Sequence, residues 1–308
     1  MLTLRQMRYF DALATTLNFR RAAEAVHVSQ PALSAQIHEL ERHFGAKLVS
    51  RSRGASELTA EGARVLPRIR AILGEIDALE ASVGPSAAHD RTVRLGMIPT
   101  VAPYLVATLL PRLRGDEGAA AVELKESVTA NLLTDLRGGR LDAAIVALPI
   151  EDASIAVRPL VEDRFVLAGA ANLRAGLAPP VRQEAIDPGE LLLLEEGHCL
   201  RDQALSVCSL ADDRRLVGYG ATSMSTLVQM VAHGMGLTLL PEIAVAAEGS
   251  RHALAMVRFA DPQPARTLAL AWRRGSHGGP FEALAETIAE SARSVIADGA
   301  EWIRPQEA

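Results

Sequence analysis

The chain has 308 residues, 49% of them hydrophobic, two cysteines and a formal net charge of −5. That length suits two domains with real cores, and two cysteines are too few for a secreted disulfide framework. There is no basic start followed by an apolar run, and the longest apolar runs, such as Leu191 to Leu194, are far too short to span a bilayer. A soluble, cytoplasmic protein with no membrane partner is therefore expected.

The charge is unevenly placed. Residues 1–70 hold eleven Lys/Arg and six Asp/Glu, or +5, which leaves −10 on the rest. A basic head on an acidic body points to a polyanionic partner for the head.

Leu4, Met7, Phe10, Leu13 and Leu17 recur at helical spacing. Asn18 can cap a short second helix with Ala22, Ala23 and Val26 facing inward, and His27 and Val28 form a tight turn. Ser29 is a good N-cap and Pro31 fits the first turn of a third helix. This helix is predicted to bury Leu33, Ile37, Leu40 and Phe44, with Gly45 as its stop. Two short helices with small residues at their contact and a tight turn between them read as a helix-turn-helix. Its second helix would lie in the major groove of a double-stranded DNA operator. Ser29, Gln30, Pro31, Ser34, Ala35 and His38 lie at its groove-facing end, where Gln can read adenine through two hydrogen bonds. The positive end of the helix also suits phosphate. "KLVSRSRGASELT" reads as two strands around a Gly-containing turn, a wing whose Arg51 and Arg53 can reach phosphate or the minor groove. The competing reading, a generic helical domain with a solvated charged face, does not explain why caps, turn and wing agree.

At this point the chain resembles the LysR-type transcriptional regulators. The residues that carry the resemblance are "AAEAVHVSQPALSAQIHELERHFGAKLVSRSRGASELTAEG". The layout it implies is a winged helix-turn-helix, a long linker helix and a sensing domain. It also implies RNA polymerase as a partner of the operator-bound protein.

Thr59 is a plausible N-cap for a helix from Ala60 to about Val83. Leu66, Ile69, Leu73 and Ile76 repeat at three, four, three, the spacing of a coiled-coil seam. Pro67 should bend the helix or end its first part. The stripe could pack on its own domain, but a dimer seam is favoured because no other core of matching size lies nearby. The boundaries expected are 1–59 for the head, 60–90 for the linker and hinge, and 91–308 for the regulatory domain.

From Arg91 strands and helices alternate. "VRLGMI", "AVELKES" and "DAAIVAL" are strand-like, while "APYLVATLLPRLR" and "ANLLTDLRGGRL" are helical. A second set follows in "LLLLEEG", "SMSTLVQMVAHG" and "GLTLLP". The alternation predicts parallel sheets in two α/β lobes with a cleft between them. The family layout implies the same two-lobed, periplasmic-binding-protein-like domain, its second lobe running from about 165 to 265. Ligands in such sheets bind beyond strand ends, near helix N-termini. Thr100 follows a strand there, and Thr129 and Ser223 precede helices; each is first of all a helix cap.

Both cysteines fall in "GHCLRDQALSVC". Cys208, between Val207 and Leu210, fits a small buried hydrophobe. Cys199 has His198 before it and Arg201 and Asp202 after it, and positive charge favours thiolate. Nine helical steps would separate the two Cα atoms by about 13.5 Å, while a disulfide needs roughly 4.4–6.8 Å. The pair can bond only if the intervening chain bends or unfolds; two unrelated cysteines are the alternative. No cofactor or metal is expected, since neither cysteine has a zinc-finger partner pair.

The same stretch resembles the redox centre of the peroxide-sensing branch of the LysR-type regulators. "IPTVAPYLVATLLPRLR", "ESVTANLLTDLRGGRLDAAIVALP" and "ATSMSTLVQMVAHGMGLTLLP" resemble that branch too. The resemblance implies that Cys199 is peroxidatic and Cys208 resolving. It also implies that Thr100, Thr129, His198 and Asp202 place peroxide and water, and that Arg201 is the redox-centre arginine. It further implies hydrogen peroxide as the signal, a thiol reductant such as glutaredoxin or thioredoxin to reset the switch, and a homo-oligomer, dimer or tetramer. The rivals are a LysR-type regulator that binds a small anionic metabolite and a thiol peroxidase enzyme.

Overall fold

A computed structural model describes residues 2–52, 55–83, 92–114, 122–171, 179–207, 220–276 and 281–307. The chain divides into two compact units. One holds residues 1–88 with the short pieces 134–141 and 275–278; the other holds the remainder.

The first unit runs α1 (Leu4–Thr16), α2 (Phe19–Ala25), α3 (Gln30–Phe44), β1 (Val49–Ser52), β2 (Ala55–Leu58) and α4 (Ala60–Val83). Short polar side chains start its helices. Thr3 and Gln6 make a capping box on α1, Asn18 Oδ1 accepts from the amides of Arg20 and Arg21, and Ser29 Oγ accepts from that of Ala32. The turn into α3 holds His27 at φ 54. β1 and β2 pair antiparallel, with Val49 opposite Leu58 and Arg51 opposite Ser56, so the wing forms as expected.

Several packing expectations are corrected. α1 stops at Thr16, and Leu17 turns left-handed and is exposed. Val26, the C-cap of α2, is only partly buried. Phe44 is 39% exposed, and Glu41 takes the inward place. The reason is polar: Glu41 Oε1 accepts from the amides of Leu48 (3.0 Å) and Val49 (3.3 Å), and Oε2 from Lys47 Nζ (2.6 Å). These bonds tie the end of α3 to the first strand of the wing. The linker stripe is corrected too. Leu66, Ile69 and Leu73 are buried in the head's own core with Phe10, Leu13 and Leu40, so the self-packing alternative holds for them. α4 also runs unbroken through Pro67. One lost hydrogen bond is outweighed by the apolar face seated on the core. Gly62 allows this approach, since a Cβ there would lie 2.1 Å from the Leu48 carbonyl oxygen.

Glu41 makes a pH-dependent contribution. Burial pushes its carboxyl up, but the bonds from Lys47, Leu48 and Val49 outweigh that and hold it below the ordinary 4.5. A depressed folded-state pKa stabilises above the unfolded value, and that stability is lost as pH falls through the folded one. Glu41→Gln should cost about 1–3 kcal/mol at neutral pH. Thermal melts of the two proteins should converge as pH drops below the ordinary carboxylate range.

In the second unit β3 (Val93–Met97) pairs parallel with β4 (Val122–Glu126) and β5 (Ala143–Ala147). α5 (Ala102–Arg114) and α6 (Thr129–Arg137) connect them. The long β6 (Ile155–Ala170) changes partners midway. Up to Arg164 it lies antiparallel to β11 (Ala265–Arg273); beyond that it pairs antiparallel with β9 (Thr238–Pro241) from Phe165 on one edge and with β10 (Leu254–Arg258) from Val166 on the other. The sheet is therefore mixed rather than parallel throughout. β6 carries the chain out of the first strand set and β11 brings it back, so these neighbours run in opposite directions. β7 (Leu193–Leu194) and β8 (Gly220–Ala221) form a small parallel pair. α7 (Cys199–Val207), α8 (Met224–Ala232), α9 (Glu242–Arg251) and α10 (Phe281–Glu307) complete the unit. Among the described residues no helix is long and apolar enough to cross a membrane.

Candidate functional site

The site is built where β7 ends. The buried run Leu191–Leu194 fixes the strand, and Gly197 at φ 92 makes a turn that other residues adopt only with strain. The His198 carbonyl then accepts from the Arg201 amide, and α7 begins at Cys199. Leu200 and Ala204 are buried and seat α7, while Cys199 and Gln203, one turn apart, share another side of it.

Three buried polar atoms here lack a hydrogen-bond partner: Thr129 Oγ1, His198 Nδ1 and Gln203 Oε1. Leaving such atoms unpaired is costly and calls for an explanation. Thr129 Oγ1 lies close enough to the Cys199 sulfur to favour its thiolate, His198 precedes the cysteine, and Gln203 follows by one turn.

Across from them, β11 supplies Arg266, whose side chain is fully buried. Its Nε donates to Asp163 Oδ2 (2.9 Å), its Nη1 to Thr100 Oγ1 (2.8 Å) and its Nη2 to the Thr100 carbonyl (3.2 Å). Because the Thr100 hydroxyl accepts from Arg266, its own proton points away from the guanidinium.

The electrostatics differ from the expectation. Burial pushes the Cys199 thiol up, and this outweighs the pull of Arg266, the Thr129 hydroxyl and the Leu200 amide; Asp202 adds to the rise. Arg266 is a cation acting on the sulfur, and Arg201 Nη1 donates to the Leu194 carbonyl (3.4 Å). Asp202 lies in the first turn of α7. Thr129 does not precede α6; it is the helix's first residue, and the Val128 carbonyl accepts from the Leu132 amide. Its hydroxyl is thereby spared from capping. Ser223 is the cap of α8, accepting from the Thr226 amide (3.2 Å). Cys208 and Arg53 lie outside the described residues.

Arg266 and Gln203 were missed in the sequence. A signal existed for each. Gln203 stands four residues after Cys199. Arg266 shares the inward face of its strand with Leu268 and Leu270, so alternation alone places a charge in the core. Among the described residues no group of three or more His, Cys, Asp or Glu could hold a metal ion. On the head, Ser29, Gln30, Pro31 and His38 are exposed along one end of α3, and Ser34 is half-buried beside them.

The profile of the bacterial regulatory helix-turn-helix proteins of the lysR family matches residues 4–63, and that of the LysR substrate binding domain matches residues 86–293. The chain belongs to the LysR family. Within that family it falls in the OxyR branch. It is 39% identical over 300 residues, 95% of each chain, to a probable hydrogen peroxide-inducible genes activator of Streptomyces viridosporus. A full-length OxyR variant from Pseudomonas aeruginosa shares 32% identity and a TM-score of 0.79, covering 95% of this chain and 98% of that one. A hydrogen-peroxide-bound OxyR mutant from Corynebacterium glutamicum shares 30% identity and a TM-score of 0.64, covering 97% of each chain.

Proposed function

We propose that this LysR-family chain is a hydrogen-peroxide-sensing transcription regulator whose sensor is Cys199. The observation that carries the reading is the half-buried cysteine at a helix start, with the Thr129 hydroxyl beside its sulfur and the buried Arg266 guanidinium acting on it. Peroxide bound beside the sulfur can accept from the Thr129 hydroxyl. The Cys199 thiolate attacks one peroxide oxygen, the O–O bond breaks, and the departing hydroxide takes a proton and leaves as water. Cys199 is then a sulfenic acid. The Cys208 thiol displaces its hydroxyl as a second water, and a disulfide forms.

The disulfide requires rearrangement. α7 runs from Cys199 to Val207, so these two Cα atoms are about 12 Å apart along the helix. One further residue recovers at most about 3.8 Å, which still leaves more than the roughly 6.8 Å a disulfide spans. Bond formation must unwind part of α7, and that remodelling is the switch that reaches the DNA-bound heads. A cytoplasmic thiol reductant of the glutaredoxin or thioredoxin class resets it, and RNA polymerase reads the outcome. Oxidation once per switching event makes this a sensor rather than a peroxidase.

A dimer through α4 is part of this reading, along a different seam from Leu66, Ile69 and Leu73. Val65 is partly buried, Ile72 is 43% exposed and Leu79 is 64% exposed, and they recur at heptad spacing.

The reading is tested by footprinting the full chain on its operator before and after a stoichiometric peroxide pulse. A changed footprint that dithiothreitol reverses is expected, and an unchanged one contradicts the reading. In the same assay Gln30→Ala should relax the choice of one base pair by about 1–3 kcal/mol. Arg51→Ala should instead weaken all sequences alike and flatten the salt dependence.

A further inference from the structure

Asp163 stands directly opposite Arg266 in the pairing of β6 with β11. It lies just before the point at which β6 leaves β11 for β9. Its carboxylate is fully buried and serves two elements. Oδ2 accepts from Arg266 Nε at 2.9 Å and lies 2.9 Å from Nη2, and Oδ1 accepts from the Ile243 amide at 3.0 Å. The second bond falls at the start of α9, whose N-cap residue, Pro241, offers no side-chain acceptor of its own. One buried anion thus caps a helix from outside it and holds the only kind of cation that cannot shed its charge.

We infer that Asp163 is a positioning residue for the oxidation of Cys199: it fixes Arg266, and through Arg266 the Thr100 hydroxyl, at the start of α9. The geometry leaves little other freedom. With Nε bonded to Asp163 and Nη2 to the Thr100 carbonyl, the guanidinium plane is set, and Nη1 is thereby aimed at Thr100 Oγ1. The Thr100 proton then has a defined direction in which to meet peroxide. A movement of α9 would reach Cys199 by the same route, since its first turn and Arg266 share one carboxylate.

The inference rests on Cys199 being the target of peroxide, but one arm of its test does not. Asp163→Asn keeps the shape and removes the charge. Its amide can accept from Arg266 or from Ile243, but its NH2 group then faces the other donor. Arg266 remains charged and is freed to turn toward Cys199, where it favours the thiolate. In the reduced full chain, iodoacetamide should therefore label Cys199 faster at neutral pH, by about threefold or more, with the midpoint of its pH profile lowered. Peroxide oxidation per thiolate should move the other way, slowing about tenfold or more, because the Thr100 donor is no longer held. These opposed changes are the signature. A lowered melting temperature with both rates unchanged, or both moved in step, would make Asp163 a helix cap alone and overturn the inference. Failure of the wild-type chain to oxidise at Cys199 would instead defeat the functional reading, and the iodoacetamide profile would still judge Asp163. Should Asp163→Asn not fold, the double variant Asp163→Asn with Arg266→Gln removes both buried charges together. Its iodoacetamide midpoint should lie above that of the wild type, because Arg266 is the member of the pair that acts on the sulfur; an unchanged midpoint overturns the inference.

Discussion

Cys199→Ser should abolish the peroxide-dependent change in operator footprint while leaving the fold and basal operator binding intact. The serine hydroxyl occupies nearly the same space at the start of α7, so Leu200 and Ala204 still seat the helix. No thiolate remains to attack the O–O bond, and no other described residue offers one. Cys208→Ser should behave differently. Its Cys199 should still become a sulfenic acid, trapped by a dimedone-type probe, but no intramolecular disulfide should follow. Circular dichroism separates loss of response from loss of fold. A peroxide response that survives Cys199→Ser would move the reading to a regulator that binds a small anionic metabolite.

Thr129→Val should slow oxidation of Cys199 by peroxide about 10²–10³-fold, the usual loss when one placed donor to developing charge is removed. The motive is that Thr129 Oγ1 is buried, sits by the Cys199 sulfur and favours its thiolate. As the first residue of α6 it is also where the helix end favours negative charge on the departing oxygen. Valine keeps the shape. Labelling by iodoacetamide needs thiolate but no peroxide placement, so its rate should change far less. Both second-order rates are measured on the same variant. Equal slowing would assign Thr129 to the thiolate or the fold, and an unchanged peroxide rate would leave it without a part in the chemistry.

What could be read from the residues was local. Asn18, Ser29, Pro31 and Gly45 are caps whose effect is confined to one turn, so α2, α3 and the turn between them are where the sequence places them. The cysteine stretch is local too, and its helix begins at the cysteine. The misses are long-range. Phe44 and Glu41 exchange roles because the wing turns its Leu48 and Val49 amides toward the carboxylate, which no helical period encodes. Leu66, Ile69 and Leu73 have the spacing of a dimer seam, but a period does not say which apolar surface meets it, and the head core is nearer. Alternating strands and helices hid that β6 and β11 run against each other. Arg266 is the most consequential miss. Its charge acts on Cys199 from β11, a strand far along the chain, and no local period encodes that.

The most direct measurement is mass spectrometry of both cysteines in the reduced full chain after a brief, near-stoichiometric pulse of hydrogen peroxide, quenched by alkylation. Expected is a sulfenic acid on Cys199 at the earliest times. It should give way to one peptide pair linked through Cys199 and Cys208, with a thiol reductant restoring both. Oxidation that begins at Cys208, or two cysteines still fully alkylated after a pulse that changes the operator footprint, would contradict Cys199 as the sensor.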